Sequence, residues 1–367
     1  MDIDKCISEN QVDKALDLSL SKNLTYLSLL MNKIERDSKN EDDELTENYK
    51  KNLSKIQADN QDIFFTDIEK QYLNKNKRTR VLLTCNWLPN RDLCNIWNKM
   101  SQNKDYIWNN IEIVWEEPCD FYCIVNKPFD PNFSYKPEKT IVFRMEPNME
   151  KNLHMWGEWS TIPKAKEFKF VGFHENHYNN NEWHLSKTYK QLSEETIEKN
   201  DEWSSVLTAI LSDKYSDPGH IKRIDFIKFV EKKGGIKVDV FGSNKFLWKN
   251  YKGSLPQHKK DASLLPYKYS FNVENFSIKN YYTEKLIDGI LSETLVFYSG
   301  CYNAKDYIDE RAFVYLELSN FEKDYETIKK AIEEDLWTER LPFIKEAKKK
   351  ILNELQFFPR LEKIISE

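Results

Sequence analysis

The chain has 367 residues, 40% hydrophobic and 31% charged, with a formal net charge of −5 and a pI near 5.9. That length suits two medium domains plus an extension, and the slightly acidic balance argues against a general nucleic-acid or anionic-membrane binder. No apolar run is long enough to span a bilayer, and Met1-Asp-Ile-Asp-Lys5 has the character of neither a signal peptide nor a signal anchor, so a soluble, cytoplasmic protein is expected.

Residues 1–77 read as a helical extension. Apolar positions at helical spacing run from Val12, Ala15 and Leu16 to Leu30 and Ile34, and resume at Leu53 and Ile56; glycine and proline are absent. Self-association through these helices is a role open to them. The acidic group Glu41-Asp-Asp-Glu44 reads as a solvated loop between helices, not as a metal site.

From 78 to 195 the pattern changes to short apolar strands alternating with helices. Val81–Cys85, Ile111–Trp115, Phe121–Val125, Lys139–Arg144 and Phe168–Phe173 are the expected strands, and Leu93–Met100 is the expected helix. Residues 196–345 repeat the logic with strands at Val206–Leu211, Val238–Gly242, Tyr267–Val273, Leu295–Tyr298 and Phe313–Leu316, and helices near 220–232, 284–292 and 322–336. Alternation of this kind predicts an α/β fold with two Rossmann-like, largely parallel sheets facing across a cleft. The lysine-rich stretch 346–367 carries Ile351, Leu352, Leu355 and Phe358 on one side and reads as a final helix able to cross back to the first domain.

The six cysteines follow no zinc or disulfide-scaffold spacing and are expected as reduced thiols, Cys119 and Cys123 sharing one strand face. No Walker, G-x-G-x-x-G or H-E-x-x-H motif occurs.

The segment Phe271–Gly289 is the most informative. It joins a strand to a helix opening Thr283-Glu284-Lys285, a hydroxyl cap followed by a carboxylate and an ammonium. Such a helix start offers N–H groups to an anion such as a nucleotide diphosphate, with Glu284 able to take two ribose hydroxyls and Lys285 a phosphate. Ligands of open α/β sheets sit beyond the carboxyl ends of strands, where Gly242, Glu274 and Glu284 all fall.

The ordered string Glu274-Asn275, Tyr281-Tyr-Thr-Glu-Lys285 and Thr294-Leu-Val-Phe-Tyr-Ser-Gly300 resembles the C-terminal signature of glycosyltransferase family 10, the α1,3/4-fucosyltransferases. There the pattern runs F-x-E-N-S, then Y-V-T-E-K, then a strand ending in Y-x-G. Asp306-Tyr-Ile308 and the strand after it also sit where that family has a turn and a strand. The resemblance covers about 80–320, is strongest at 267–318 and is weak before 140. It implies a GT-B enzyme transferring L-fucose from GDP-fucose, with inversion, to a glycan hydroxyl. Residues 78–195 would form the acceptor side and 196–345 the nucleotide-sugar domain.

Inverting transfer needs a base for the acceptor hydroxyl, positive charge for the leaving diphosphate and a pocket for the nucleotide. Glu146, in Arg144-Met-Glu-Pro-Asn148, leaves an apolar strand before a proline, and the resembled family carries its proposed base on a comparable turn. Glu150 and Glu158 are nearby substitutes. For the donor nucleotide the expected residues are Gly242, Lys245, Lys252, Glu274, Asn275, Tyr281, Glu284 and Lys285. The family places an arginine in the loop after V-D-x-x-G, where this chain has Lys245, Lys249 and Lys252; lysine brings charge without bidentate geometry. Arg223 is a further possibility, with a surface or domain-contact role as the plainer reading. Trp183 and His184, in Asn181-Glu-Trp-His-Leu-Ser-Lys187, are expected to touch acceptor or sugar, or else to be a buried ring and its capping partner.

No D-x-D motif is placed to chelate a divalent ion, so no protein metal ligand and no essential cofactor beyond the donor substrate are expected. Two alternatives stay open: the same fold using another nucleotide sugar, and a catalytically silent glycan- or nucleotide-binding module.

Overall fold

The computed structural model describes residues 78–367, so the expected helical extension and its self-association lie outside the described residues. Two six-stranded sheets organise the chain. In the first, β1 (Thr79–Cys85) leads through α1 (Asn90–Trp97) to β2 (Ile107–Trp108) and β3 (Ile111–Val114). β4 (Phe121–Val125), β5 (Thr140–Phe143), α2 (Ile162–Ala165), β6 (Phe170–Gly172) and α3 (Tyr189–Glu194) follow. The strand order is β2-β3-β1-β4-β5-β6, parallel except for the β2–β3 pair.

The second sheet is built from β7 (Leu207–Leu211), α4 (Pro218–Lys233), β8 (Val238–Gly242), β9 (Tyr251–Gly253), α5 (Asp261–Leu264) and β10 (Tyr269–Val273). It continues with α6 (Glu284–Leu291), β11 (Leu295–Ser299) and β12 (Phe313–Tyr315). Its order, β12-β11-β10-β7-β8-β9, is wholly parallel. Counted in chain order, these strands read 3-2-1-4-5-6 across the sheet, with the reversal between β7 and β10. The parallel strands of the first sheet reverse between β1 and β4. The expected α/β architecture of two Rossmann-like domains is what forms.

The strands were legible because sheets covered on both faces need continuous apolar runs. β5, β10 and β11 are buried along their whole lengths. Cys119 corrects one expectation: it lies before β4 and shares no strand face with Cys123. All five described cysteines are free thiols.

Helix limits shift where capping or backbone handedness intervenes. The helix expected over 322–336 is two: α7 (Phe321–Glu333) and α8 (Leu336–Lys350), separated by Asp335 with φ 47°. The chain therefore turns sharply where helical periodicity alone predicted continuity. The terminal segment likewise breaks at extended Gln356, after a wide turn over Ile351–Leu355, and resumes as α9 (Phe357–Ser366).

α9 packs on elements of the first sheet. The Phe357 ring lies 4.7 Å from Trp97, Phe358 lies 6.1 Å from Trp108, and Arg360 Nη1 donates to Asn181 Oδ1 at 2.9 Å. Gln356 Nε2 adds a bond of 3.3 Å to the Met100 carbonyl. No helix among the described residues is long and apolar enough to cross a membrane.

Candidate active site

Two cavities open beyond the carboxyl edges of the sheets. One, of about 470 Å³, sits at the reversal point of the second sheet, against Leu211 and Ser212 after β7, Gly242 after β8 and Val273 at the end of β10. The other, of about 380 Å³, lies toward the first domain, against Asn86 after β1, Asn126 after β4 and Glu146 after β5. His184, Gln257, His258, Glu284 and Lys285 line both, so these five residues form the border between the two spaces.

Close backbone approach builds the first cavity. Gly242 has φ 100°, and a Cβ there would meet the Leu211 carbonyl oxygen at 2.3 Å. At the start of α4, a Cβ on Gly219 would meet the Glu274 carbonyl oxygen at 1.8 Å. Glycine lets α4 dock against the loop after β10, where Gly219 N–H donates to the Asn275 carbonyl at 3.0 Å.

The start of α6 is fixed by Glu274. Its carboxylate is 1% exposed and accepts from the Thr283 N–H at 2.8 Å and the Thr283 hydroxyl at 2.7 Å. Thr283 in turn caps α6 through the Lys285 N–H. Lys285 Nζ lies 3.2 Å from Glu284 Oε1 and 3.4 Å from Glu274 Oε2. Burial alone would lower its pKa, but the two carboxylates outweigh it and raise the ammonium above the ordinary lysine value. Burial pushes Glu284 the other way, yet Lys285 and Lys260 hold it well below the usual carboxylate range. The helix start therefore carries a fixed anion and a fixed cation side by side.

Lys260, which no sequence pattern singled out, ties this helix face together. Its Nζ reaches Glu284 Oε1 at 3.3 Å and Asp288 Oδ2 at 2.8 Å, while Asp288 Oδ1 accepts from the His184 N–H at 2.7 Å.

Arg223 is not the surface residue that its helical position suggested. It is 6% exposed and lines the first cavity. Its Nη1 donates to the Val273 carbonyl at 3.1 Å and to Asn275 Oδ1 at 3.3 Å, its Nη2 lies 3.2 Å from Ser212 Oγ, and its Nε has no partner. A guanidinium is thereby anchored at the sheet's reversal point.

The lysine loop does not converge on this place. Lys252 pairs with the buried Asp239 at 3.5 Å, and Lys245 donates to the Asp213 carbonyl at 3.1 Å; neither lines a cavity. Lys249 is tied to the Glu231 carbonyl. These side chains serve the packing of β8 and α4, whereas Arg223 lines the first cavity.

Glu146 is held by its turn. Met145 N–H donates to Asn126 Oδ1 at 2.9 Å, and Asn152 Nδ2 to the Pro147 carbonyl at 2.8 Å. Arg144 lies between the rings of Trp156 and Phe173, 4.4 and 4.7 Å from their centres, and reaches Asn148 Oδ1 at 3.1 Å. Burial raises the Glu146 pKa; nearby Lys285 opposes this and Glu284 reinforces it.

Among the other expected residues, Asn275 and Tyr281 line the second cavity, Tyr281 packing edge-on to His174 at 5.5 Å. Glu274 acts from behind. Trp183 takes the second of its two expected places: it is 1% exposed in the core, its Nε1 bonded to the Lys187 carbonyl at 3.0 Å. His184 faces both cavities. Glu182, passed over in the sequence, is buried against the second cavity. A single acid in an asparagine-rich stretch was the only signal for it. Among the described residues, no group of three or more His, Cys, Asp or Glu side chains is arranged to hold a metal ion.

No protein-family model matches the sequence, and no curated protein matches it. Among solved structures, an α1,3-fucosyltransferase superposes over 80% of this chain and 92% of its own, at 14% identity and a TM-score of 0.45. A glycosyltransferase from Rickettsia africae superposes over 79% and 97%, at 10% identity and a TM-score of 0.45. WaaG, a glycosyltransferase involved in lipopolysaccharide biosynthesis, superposes over 78% and 99%, at 12% and 0.44. None of these likenesses bears on donor, acceptor or mechanism.

Proposed function

We propose that this chain is an inverting glycosyltransferase that moves L-fucose from GDP-fucose to a glycan hydroxyl. The observation that carries the transferase reading is the meeting, in one cavity, of groups from the two domains. Glu146 from the first domain, and Glu284 with Lys285 from the second, line the same cavity. The choice of fucose and guanosine rests on the resemblance of Glu274-Asn275 and Tyr281–Lys285 to family 10.

In this reading the nucleotide lies in the cavity at the reversal of the second sheet, its ribose hydroxyls on the ionised Glu284. Lys285 and the buried Arg223 face the diphosphate. Glu146 takes the proton of the acceptor hydroxyl as that oxygen bonds to the anomeric carbon from the side opposite the phosphate. The bond from that carbon to the β-phosphate oxygen breaks, its electron pair leaving with GDP, and the two cations stabilise the charge as it develops. A carboxylate with a raised pKa suits the base, because proton transfer is most effective when the acceptor's pKa approaches the working pH.

Calorimetric titration with GDP, GDP-fucose, GDP-mannose and UDP, without added metal, tests this. GDP binding with preference for GDP-fucose, lost in Glu284→Ala, is the expected result. A Glu146→Gln protein should keep that binding and lose turnover. Binding of UDP alone, or of no nucleotide, overturns the reading.

A further inference from the structure

Beside the border between the two cavities stand polar groups that the transfer step above does not use. Glu182 is only 7% exposed. Its Oε2 accepts from the Asn181 N–H at 3.2 Å, and its Oε1 lies 3.9 Å from His184 Nε2, beyond bonding range. His258 is more exceptional. Both of its ring nitrogens are buried and neither has a partner. Its backbone is held at φ 54°, a conformation unusual for a residue with a Cβ. The His184 and His258 rings meet edge to face, centres 4.4 Å apart.

Buried polar groups in native proteins are nearly always paired, and those that are not mark a place where something else bonds. Strain of the kind seen at His258 likewise persists where the surroundings enforce it, often at ligand clamps. Here the unpaired nitrogens are those of His258, which lines one cavity together with Glu146, Glu182 and His184, while His184 and His258 also line the nucleotide cavity.

The surroundings suit a carbohydrate. Asn86, Asn126, Asn180, Asn275 and Gln257 bring neutral amides to the same cavity, with Trp87 at its rim. Burial lowers both histidines below the ordinary imidazole value, so each ring is neutral and offers one donor and one acceptor. Such a pair matches vicinal hydroxyls, and an anionic ligand gains no charge from it. A nucleotide sugar spanning the border, diphosphate on Lys285, must place its hexose on the Glu146 side.

We propose that Glu182, His184 and His258 form a hydroxyl-binding shelf for the transferred hexose, in the cavity they share with Glu146, and that they set which sugar is accepted. This rests on the glycosyltransferase reading and extends it to residues outside the motif. Glu182 Oε1 and the free nitrogens of His258 would bond directly to ring hydroxyls, and Asp288 would keep His184 in place through its N–H.

The test compares a nucleoside diphosphate with its sugar conjugate in the full-length protein. GDP and GDP-fucose, and in parallel UDP and UDP-glucose, are titrated calorimetrically into wild type, Glu182→Ala and His258→Leu. In the expected result the variants bind the diphosphate within about twofold of wild type while affinity for the conjugate falls about tenfold or more, as loss of a hydrogen bond to a charged or buried group would give. Retained diphosphate binding itself shows that the variants fold. Should His258→Leu bind neither ligand, His258→Asn, which keeps a donor and an acceptor, must recover the diphosphate; otherwise the shelf is rejected in favour of a structural role. Equal losses for both ligands, no loss for either, or a wild type that gains nothing from the hexose also overturn it while leaving the nucleotide site standing. A wild type that binds no nucleotide removes the transferase reading as well.

Discussion

Glu274 and Lys285 form an ion pair 3.4 Å apart, the carboxylate fully buried and the lysine side chain 23% exposed toward the proposed diphosphate position. The carboxylate does three things at once: it accepts the Thr283 N–H, accepts the Thr283 hydroxyl and holds the ammonium. Removing the carboxylate leaves the buried Thr283 N–H and hydroxyl without an acceptor, which costs about 1–3 kcal/mol, while Lys285 keeps Glu284 at 3.2 Å. Glu274→Ala should therefore lower the unfolding free energy measured by urea titration by about 1–3 kcal/mol, moving the midpoint to lower urea, and should weaken GDP binding because the start of α6 loosens. An unchanged urea midpoint would show that Glu274 does not support the helix start.

The state of Glu146 sets a pH prediction. As a base it works only when deprotonated, so turnover falls as pH drops through its pKa. Burial raises that pKa, and Lys285 and Glu284 act on it in opposite directions. The acidic limb of kcat/KM should thus lie above the ordinary glutamate value of about 4.3. Glu146→Gln should abolish turnover across the range. A profile flat down to that value, or a Glu146→Gln protein with wild-type turnover, would remove Glu146 from the chemistry.

Glu146 also depends on Arg144, which stacks between Trp156 and Phe173 and is bonded to Asn148 across the turn. Arg144 is a positioning residue here, and it lines neither cavity. Arg144→Met should lower kcat by on the order of 10- to 100-fold, as small misplacements of a reacting group do, with GDP affinity nearly unchanged. Parallel loss of GDP affinity would point instead to general damage to the domain.

What could be read in the sequence divides along physical lines. Strands such as β1, β4 and β5 announce themselves because both sheet faces are covered. The Thr283–Lys285 helix start was legible because capping and charge are local properties. Arg223 was not, since nothing local tells which face of α4 meets the end of β10. His258 and Lys260 follow β9 in a loop without periodicity and reach the site only through the fold. Lys245 and Lys252 show the converse: they occupy the expected loop, but Asp213 and Asp239 engage them elsewhere. Trp183 stayed open between two readings because an indole beside a histidine looks alike in a core and in a sugar cleft, and the fold puts it in the core.

Glu182 gives a stability prediction with a definite sign. Burial is the main reason its pKa rises from 4.5 to about 7, with repulsion from Glu284 and Asp288 adding to it and its backbone N–H contacts opposing it. Lys99 lies near enough to feel its charge, and His184 Nε2 is 3.9 Å away. Between those two pH values the native protein binds a proton at this site that the unfolded chain does not. Stability contributed by Glu182 is then greatest near pH 4.5 and is lost as pH rises toward about 7. Glu182→Gln removes the titration without adding a charge. Its thermal midpoint should exceed that of wild type by a few degrees at pH 8, and the gain should vanish near pH 4.5. Paired melting curves at the two pH values decide the matter. An equal gain at both would mean that packing, not ionisation, sets the difference, and a loss at pH 8 would mean that contacts to the carboxylate outweigh the cost of its burial.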